Sequence, residues 1–241
     1  MNQKFDPRNK KFLAVSAHPD DADFYAGGTM LSWLASGAKG SIVIATNGDK
    51  GSSDKNLTSE KLAETRKKEQ LSASSVLGLE QTWFLDFPDA HLEITQDLKA
   101  KLVKIIREYK PDAIFTFDPS DFYSVQLGQI NHPDHRAIGQ AALDAAFPQA
   151  RDFLTFPTEG QQGLQPHSVT DFFLYNSDLE KNNFFVDINS FFEKKLDLLK
   201  LHKSQVDMQE AKAELEKLNS QAGEKIEAKL AEGFVHVQLS S

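Results

Sequence analysis

FLAVSAHPDD, residues 12–21, carries an apolar run directly into a turn that holds one histidine and two aspartates. A short continuous apolar run bounded by a turn predicts a strand buried on both faces, because such a strand has no polar side to alternate with. SIVIAT at 41–46 and AIFTF at 113–117 have the same character, and a shorter run lies at 82–85. Between them the period changes to that of helices. Residues 28–36 read as a helix stopped by Gly37, and 59–77 as a helix ended by Gly78. Residues 95–109 set Leu98, Leu102, Ile105 and Ile106 on one face before Pro111. Further helices are predicted at about 132–146 and 206–230, the latter with Ala211, Leu215, Leu218, Ala222 and Ile226 at spacings of three and four. Strands are expected near 172–175 and 184–186, with helices filling much of the remainder. Strand and helix alternating in this way predict an α/β fold, a mostly parallel sheet with helices on both faces. The simplest reading is one domain over 1–241, with a polar N-terminal extension at 1–11. In such sheets ligands gather at the carboxyl ends of strands.

Composition narrows the chemistry. A formal net charge of -8 repels phosphate backbones, so no nucleic-acid partner is expected. With no cysteine in the chain, a metal must sit on His, Asp or Glu. Residues 1–11 have no apolar core of a signal peptide, and no apolar run is long enough to cross a bilayer. A cytoplasmic location and no membrane partner are the expectation. The 206–230 helix is expected to pack on the domain or on a partner subunit, which leaves a homo-oligomer open.

Two tetrads carry the chemistry. His18-Pro19-Asp20-Asp21 ends the first strand, and His132-Pro133-Asp134-His135 opens a helix after the fourth. Each holds two ligand-type side chains three residues apart, a spacing that shares a face on a helical turn. Two imidazoles and a carboxylate, His18, Asp21 and His135, make a zinc set with a position left for water, and the same donors suit ferrous iron. Asp20 and His132 remain beside them, the acid–base groups a metal hydrolase needs. HPD sequences also serve as plain helix caps, but two on strand-to-helix turns of one chain favour a metal site.

These motifs resemble the LmbE-like (PIG-L superfamily) N-acetylglucosaminyl deacetylases: His18 to Asp21 followed by Gly27-Gly28-Thr29, then Asn131 to Arg136. Arg66-Lys67-Lys68-Glu69, Gly163 to His167, and Lys195 with His202-Lys203-Ser204-Gln205 are similar to further family segments. The resemblance implies a Rossmann-like fold, Zn2+ on His18, Asp21 and His135, and Asp20 as general base. It implies His132 as acid and oxyanion stabiliser, Asp134 orienting it, and Arg66 as a substrate contact. It implies as substrate a small N-acetylated amino sugar or its conjugate. Where the family often has Glu after the two aspartates, this chain has Ala22 and then Asp23. Alternatives are hydrolysis of another N-acyl amine, or a binding protein of this fold without turnover; retention of Asp20 and His132 argues against the latter.

Other residues read more plainly. Gly27-Gly28 lacks the G-x-G-x-x-G pattern and predicts close packing of helix on strand. Residues 47–53 predict a loop with left-handed turns. From spacing alone Arg66 belongs to a solvated face. His91, His167 and His236 read as surface or structural residues, and His202 either as a buried structural histidine or as part of a pocket. The loops at 118–130, which holds Phe122 and Tyr123, and at 153–165 are expected to shape the pocket.

Overall fold

A computed structural model describes residues 5–125, 128–156 and 163–239. Parts of both pocket-shaping loops, 126–127 and 157–162, therefore lie outside the described residues. Nine strands and six α-helices are described: β1 (Lys11–Ser16), α1 (Asp21–Ala35), β2 (Lys39–Thr46), α2 (Ser59–Leu77), β3 (Thr82–Phe87), α3 (Gln96–Tyr109), β4 (Ala113–Phe117), β5 (Tyr123–Ser124), β6 (Gln129–Ile130), α4 (Pro133–Asp144), β7 (Asp171–Tyr175), β8 (Phe184–Asp187), α5 (Phe192–Leu199), α6 (Met208–Glu224) and β9 (Ala231–Gln238). The main sheet has the order β3-β2-β1-β4-β7-β9-β8. Strands β3, β2, β1, β4 and β7 pair in parallel, and β9 pairs antiparallel with both β7 and β8. The expected α/β sheet is present, with helices packed around it.

The central strands are apolar because nothing on either face is wet. In β1, Phe12 to Ser16 are buried, and β4 is buried throughout. Phe12, Trp33, Phe115 and Phe173 meet ring to ring at the centre, where Trp33 and Phe115 centroids lie 4.8 Å apart. Phe5 stacks on Trp33 at 4.8 Å, so part of the N-terminal extension belongs to the core.

Three elements differ from expectation. Helix α1 begins at Asp21 rather than near Gly28, so the paired glycines lie inside it. They allow close packing, but against Ile188 and Lys195 rather than a strand: a Cβ on Gly28 would meet Ile188 at 2.8 Å. Helix α6 is shorter than expected, capped by the Asp207 side chain, which accepts from the amides of Gln209 and Glu210. It packs on this chain, with Ala211, Leu215 and Ala222 buried. Strand β9 has no counterpart in the sequence reading. Its Glu232 and His236 are buried in pairs, with Lys195 at 2.6 Å and Asp171 at 2.8 Å, so the strand shows no clean apolar run. No helix among the described residues is long and apolar enough to cross a membrane.

Candidate active site

Both tetrads sit at carboxyl ends of parallel strands, where the sheet order brings them together: β1 and β4 are neighbours. After β1 the chain turns sharply, with Asp20 at φ 94, a left-handed conformation that a non-glycine residue holds only under constraint. Asp21 then starts α1, and its carboxylate accepts from the His18 amide at 2.8 Å. His18 and Asp21 thus converge through a turn and not through a shared helical face. After β4, His132 is the N-cap of α4, with Pro133 at the first helical position.

The side chains meet in a small volume. Asp21 bridges the two tetrads: its Oδ1 lies 3.3 Å from Nε2 of His135, and its Oδ2 lies 3.6 Å from Nδ1 of His18. The His18 and His132 rings are 4.7 Å apart, and His18 and His135 5.2 Å. Donor atoms of His18, His132 and His135 lie within 4.8 Å of one another, as do donors of His18, Asp89, His132 and Asp134. Each ring is aimed by a neighbour. Asn131 donates to the Asp121 carbonyl, which leaves its own oxygen to accept from Nδ1 of His135 at 2.9 Å. Nε2 of His135 is thereby turned to face Asp21. Phe117 stacks on the same ring at 3.8 Å. Nδ1 of His132 accepts from the Asp134 amide at 3.2 Å, so the neutral ring carries its proton on Nε2.

Asp134 differs from its expected role. Its carboxylate accepts from the amides of Ala90 and Leu92, at 2.7 and 3.1 Å, and faces His18 at 3.4 Å. His132 is oriented by the backbone of Asp134 rather than by its carboxylate. Asp89, in the loop after β3, stands 3.1 Å from Nε2 of His18 and belongs to no motif. Its place at a third carboxyl strand end was the available signal.

Arg66 is buried, not solvated. It donates to the carbonyls of Gly48 and Pro19, at 3.0 and 2.8 Å, and lies 3.3 Å from Oδ2 of Asp20. Those bonds hold the 47–53 loop, where Gly48 has the expected left-handed φ of 64, to the base of the first tetrad. Behind Asp20 runs a second support that the sequence did not reveal. The Asp20 amide donates to Oε1 of Gln70 at 2.9 Å, Nε2 of Gln70 donates to Asp23 at 3.3 Å, and His202 meets the same Asp23 oxygen at 2.8 Å. All three of these side chains are buried, so His202 is a structural histidine. His236 is also buried in structure, His167 meets the Pro111 carbonyl at 2.7 Å, and His91 is exposed. Phe122 and Tyr123 are exposed.

Electrostatics explain what the cluster asks for. Burial opposes charge on His18, but Asp134, Asp21 and Asp89 outweigh it and push its pKa up to about 12. Burial likewise opposes ionisation of Asp21, yet His135 and His18 hold its carboxyl far below the usual range. Asp89 is held down at about 2 by His18 against its own burial. Burial and the neighbouring His18 lower His132. Asp20 moves the other way: burial pushes it up to about 6, with Arg66 pulling against it. The carboxylates demand a cation, and a proton on His18 supplies one. The buried Nε2 of His18 nonetheless lacks a well-aligned hydrogen bond, although Asp89 is close. Imidazole nitrogens and carboxylates around an orphaned ring nitrogen fit a divalent metal ion. The site opens into a cavity of about 310 Å³ walled by Phe24, Tyr25, Leu199, Val206 and α6.

Residues 13–146, more than half of the chain, match the family described as GlcNAc-PI de-N-acetylase, PIG-L. The chain belongs to the PIG-L family. Over 200 residues it is 31% identical to the diacetylchitobiose deacetylase of Thermococcus kodakarensis, covering 81% of this chain and 70% of that protein. A probable N-acetyl-alpha-D-glucosaminyl L-malate deacetylase 2 of Bacillus anthracis is 28% identical over 200 residues, 80% of each. The solved structure of N,N'-diacetylchitobiose deacetylase from Pyrococcus horikoshii, in complex with its inhibitor MPG, superposes with a TM-score of 0.86 at 30% identity, over 97% of this chain and 88% of that one. This PIG-L chain carries the fold of a hydrolytic deacetylase, and its histidine and aspartate cluster lies where the two HPD tetrads meet.

Proposed function

We propose that this PIG-L protein hydrolyses the acetamide of a small N-acetylglucosamine-containing sugar or conjugate. One observation carries the reading: Asp21 joins His18 to His135 at the floor of a cavity that also exposes Asp20. The metal ligands in this reading are His18, Asp21 and His135, with zinc the favoured ion. When bound, such an ion supplies a Lewis acid that polarises the amide carbonyl and acidifies water.

The chain's own residues do the rest. Asp20, ionised above about pH 6, takes a proton from the attacking water. The Nε2–H of His132 donates to the oxygen on which negative charge develops. A neutral ring suffices for that bond, because Nδ1 is occupied by the Asp134 amide. The proton held by Asp20 returns to the departing nitrogen, leaving acetate and a free amine. Arg66 acts in this reading by bracing Asp20 and the 47–53 loop, and its bonds within the chain favour that over the substrate contact implied by resemblance. Metal analysis of the purified protein, with amine release measured over N-acetylated sugars, tests the whole reading. No bound metal, together with no amine released from any of them, would overturn it.

A further inference from the structure

One wall of the active-site cavity is a face of α6, and the charge of that wall is one-sided. Glu210 and Glu214 both line the cavity, four residues apart and so on one face of the helix. Like charges at that spacing weaken a helix, and neither glutamate is in an ion pair among the described residues. Lys212, between them, turns instead to Glu216 at 3.7 Å. No lysine or arginine among the described residues lines the cavity. Arg66 is committed to the carbonyls of Gly48 and Pro19, and Lys195 is neutralised by Glu232 at 2.6 Å. The field of the wall reaches the centre of the cavity: burial first, then the charges of Asp21 and Glu214, push the Tyr25 phenol above its usual range.

A divalent ion does not reverse the sign. Asp20 and Asp21 balance its charge, and Asp89 and Asp134, at 3.1 and 3.4 Å from Nε2 of His18, add further carboxylates. A cleft lined by one sign of charge concentrates its field, and like charges repel across it. We infer that Glu210 and Glu214 select the substrate by charge. The N-acetylglucosamine unit enters joined to a neutral or amino-bearing group, and one joined to a carboxylate or phosphate is turned away. The inference rests on the deacetylase reading above and names which conjugates that reading admits. Rejection of this kind needs no direct contact, because the repulsion acts while the conjugate approaches.

The test compares kcat/KM for N,N'-diacetylchitobiose, which is neutral, and N-acetyl-alpha-D-glucosaminyl L-malate, whose malate carries free carboxylates. Both are measured with the wild-type protein and with the double variant Glu210→Gln, Glu214→Gln. Both positions are exposed, and glutamine keeps the shape while removing the charge, so differences in fit between the two compounds cancel. Wild type should prefer the neutral disaccharide, and the double variant should cut the neutral-to-anionic ratio about tenfold, mainly through KM for the malate conjugate. Raising the ionic strength should narrow the wild-type ratio in the same direction, since exposed charges are screened. Titration calorimetry of both compounds reads the preference in binding. Absence of turnover on both overturns the deacetylase reading alone, and the same comparison of dissociation constants then decides the charge selection. A ratio that the double substitution or salt leaves unmoved, or a wild-type preference for the malate conjugate, overturns the selection.

Discussion

The backbone amide of Asp20 donates to Oε1 of Gln70 at 2.9 Å, across 50 residues of sequence. That bond restrains a left-handed aspartate whose carboxylate, in the proposed mechanism, faces the attacking water. Removing it frees the turn while leaving His18, Asp21 and His135 in place. Gln70→Ala is therefore expected to lower kcat about tenfold or more with metal content unchanged, since small displacements of a catalytic group are costly. Metal analysis and steady-state kinetics check this; loss of metal in parallel with kcat would assign Gln70 to the metal site instead.

The adjacent aspartates separate ligand from base. Asp20→Asn should keep metal and reduce turnover by ~10²-fold or more. Asp21→Ala should lose metal affinity, with activity partly restored by added zinc, and His132→Ala should keep metal and lose turnover. Metal content and kcat for the three variants decide the assignment. Metal lost from Asp20→Asn but kept in Asp21→Ala would reverse it.

Metal binding should depend steeply on pH. His18 is protonated in the metal-free cluster, its pKa pushed up to about 12 by Asp134, Asp21 and Asp89 against the effect of burial. A ring must shed that proton before it binds a metal, so affinity rises with pH and a proton is released on binding. Calorimetry in buffers of different ionisation enthalpy measures the release. Uptake of protons, or affinity constant from pH 6 to 8, would contradict the charge arrangement described.

Arg66→Ala leaves the carbonyls of Gly48 and Pro19 without their donor inside the protein. The expected result is a stability loss of roughly 2 kcal/mol or more, together with a fall in kcat. Arg66→Lys should rescue little, because one ammonium cannot reproduce the fork of a guanidinium. Thermal unfolding and kinetics report on both. A raised KM with stability and kcat intact would restore Arg66 as a direct substrate contact.

Chelation should abolish activity while a cooperative thermal transition remains, at a lower midpoint. The core of Phe12, Trp33, Phe115 and Phe173 packs independently of the site at the strand ends. Loss of the cooperative transition would show that folding itself depends on the metal.

The sequence alone determined the parallel core and the place of the chemistry. FLAVSA and AIFTF read as buried strands because strands covered on both faces must be apolar; the first HPD tetrad stands directly after one of them, and the second opens the helix that follows the other. Tertiary structure decided what polar residues do once buried, because their partners lie far away along the chain. Asp23 and His202 meet across 179 residues, and Lys195 meets Glu232 across 37. No local pattern marks such pairs, so β9 did not read as a strand, and Arg66 looked like one more charge on a solvated helix. Asp89 lay outside every motif, and only the fold brings it to His18. Likewise, the family resemblance implied that Asp134 orients His132. The helix start instead turns the carboxylate toward Ala90, Leu92 and His18, and leaves the Asp134 amide to hold the ring. Periodicity reports which face of an element is buried; what a buried charge pairs with is settled only when distant strands and helices close around it.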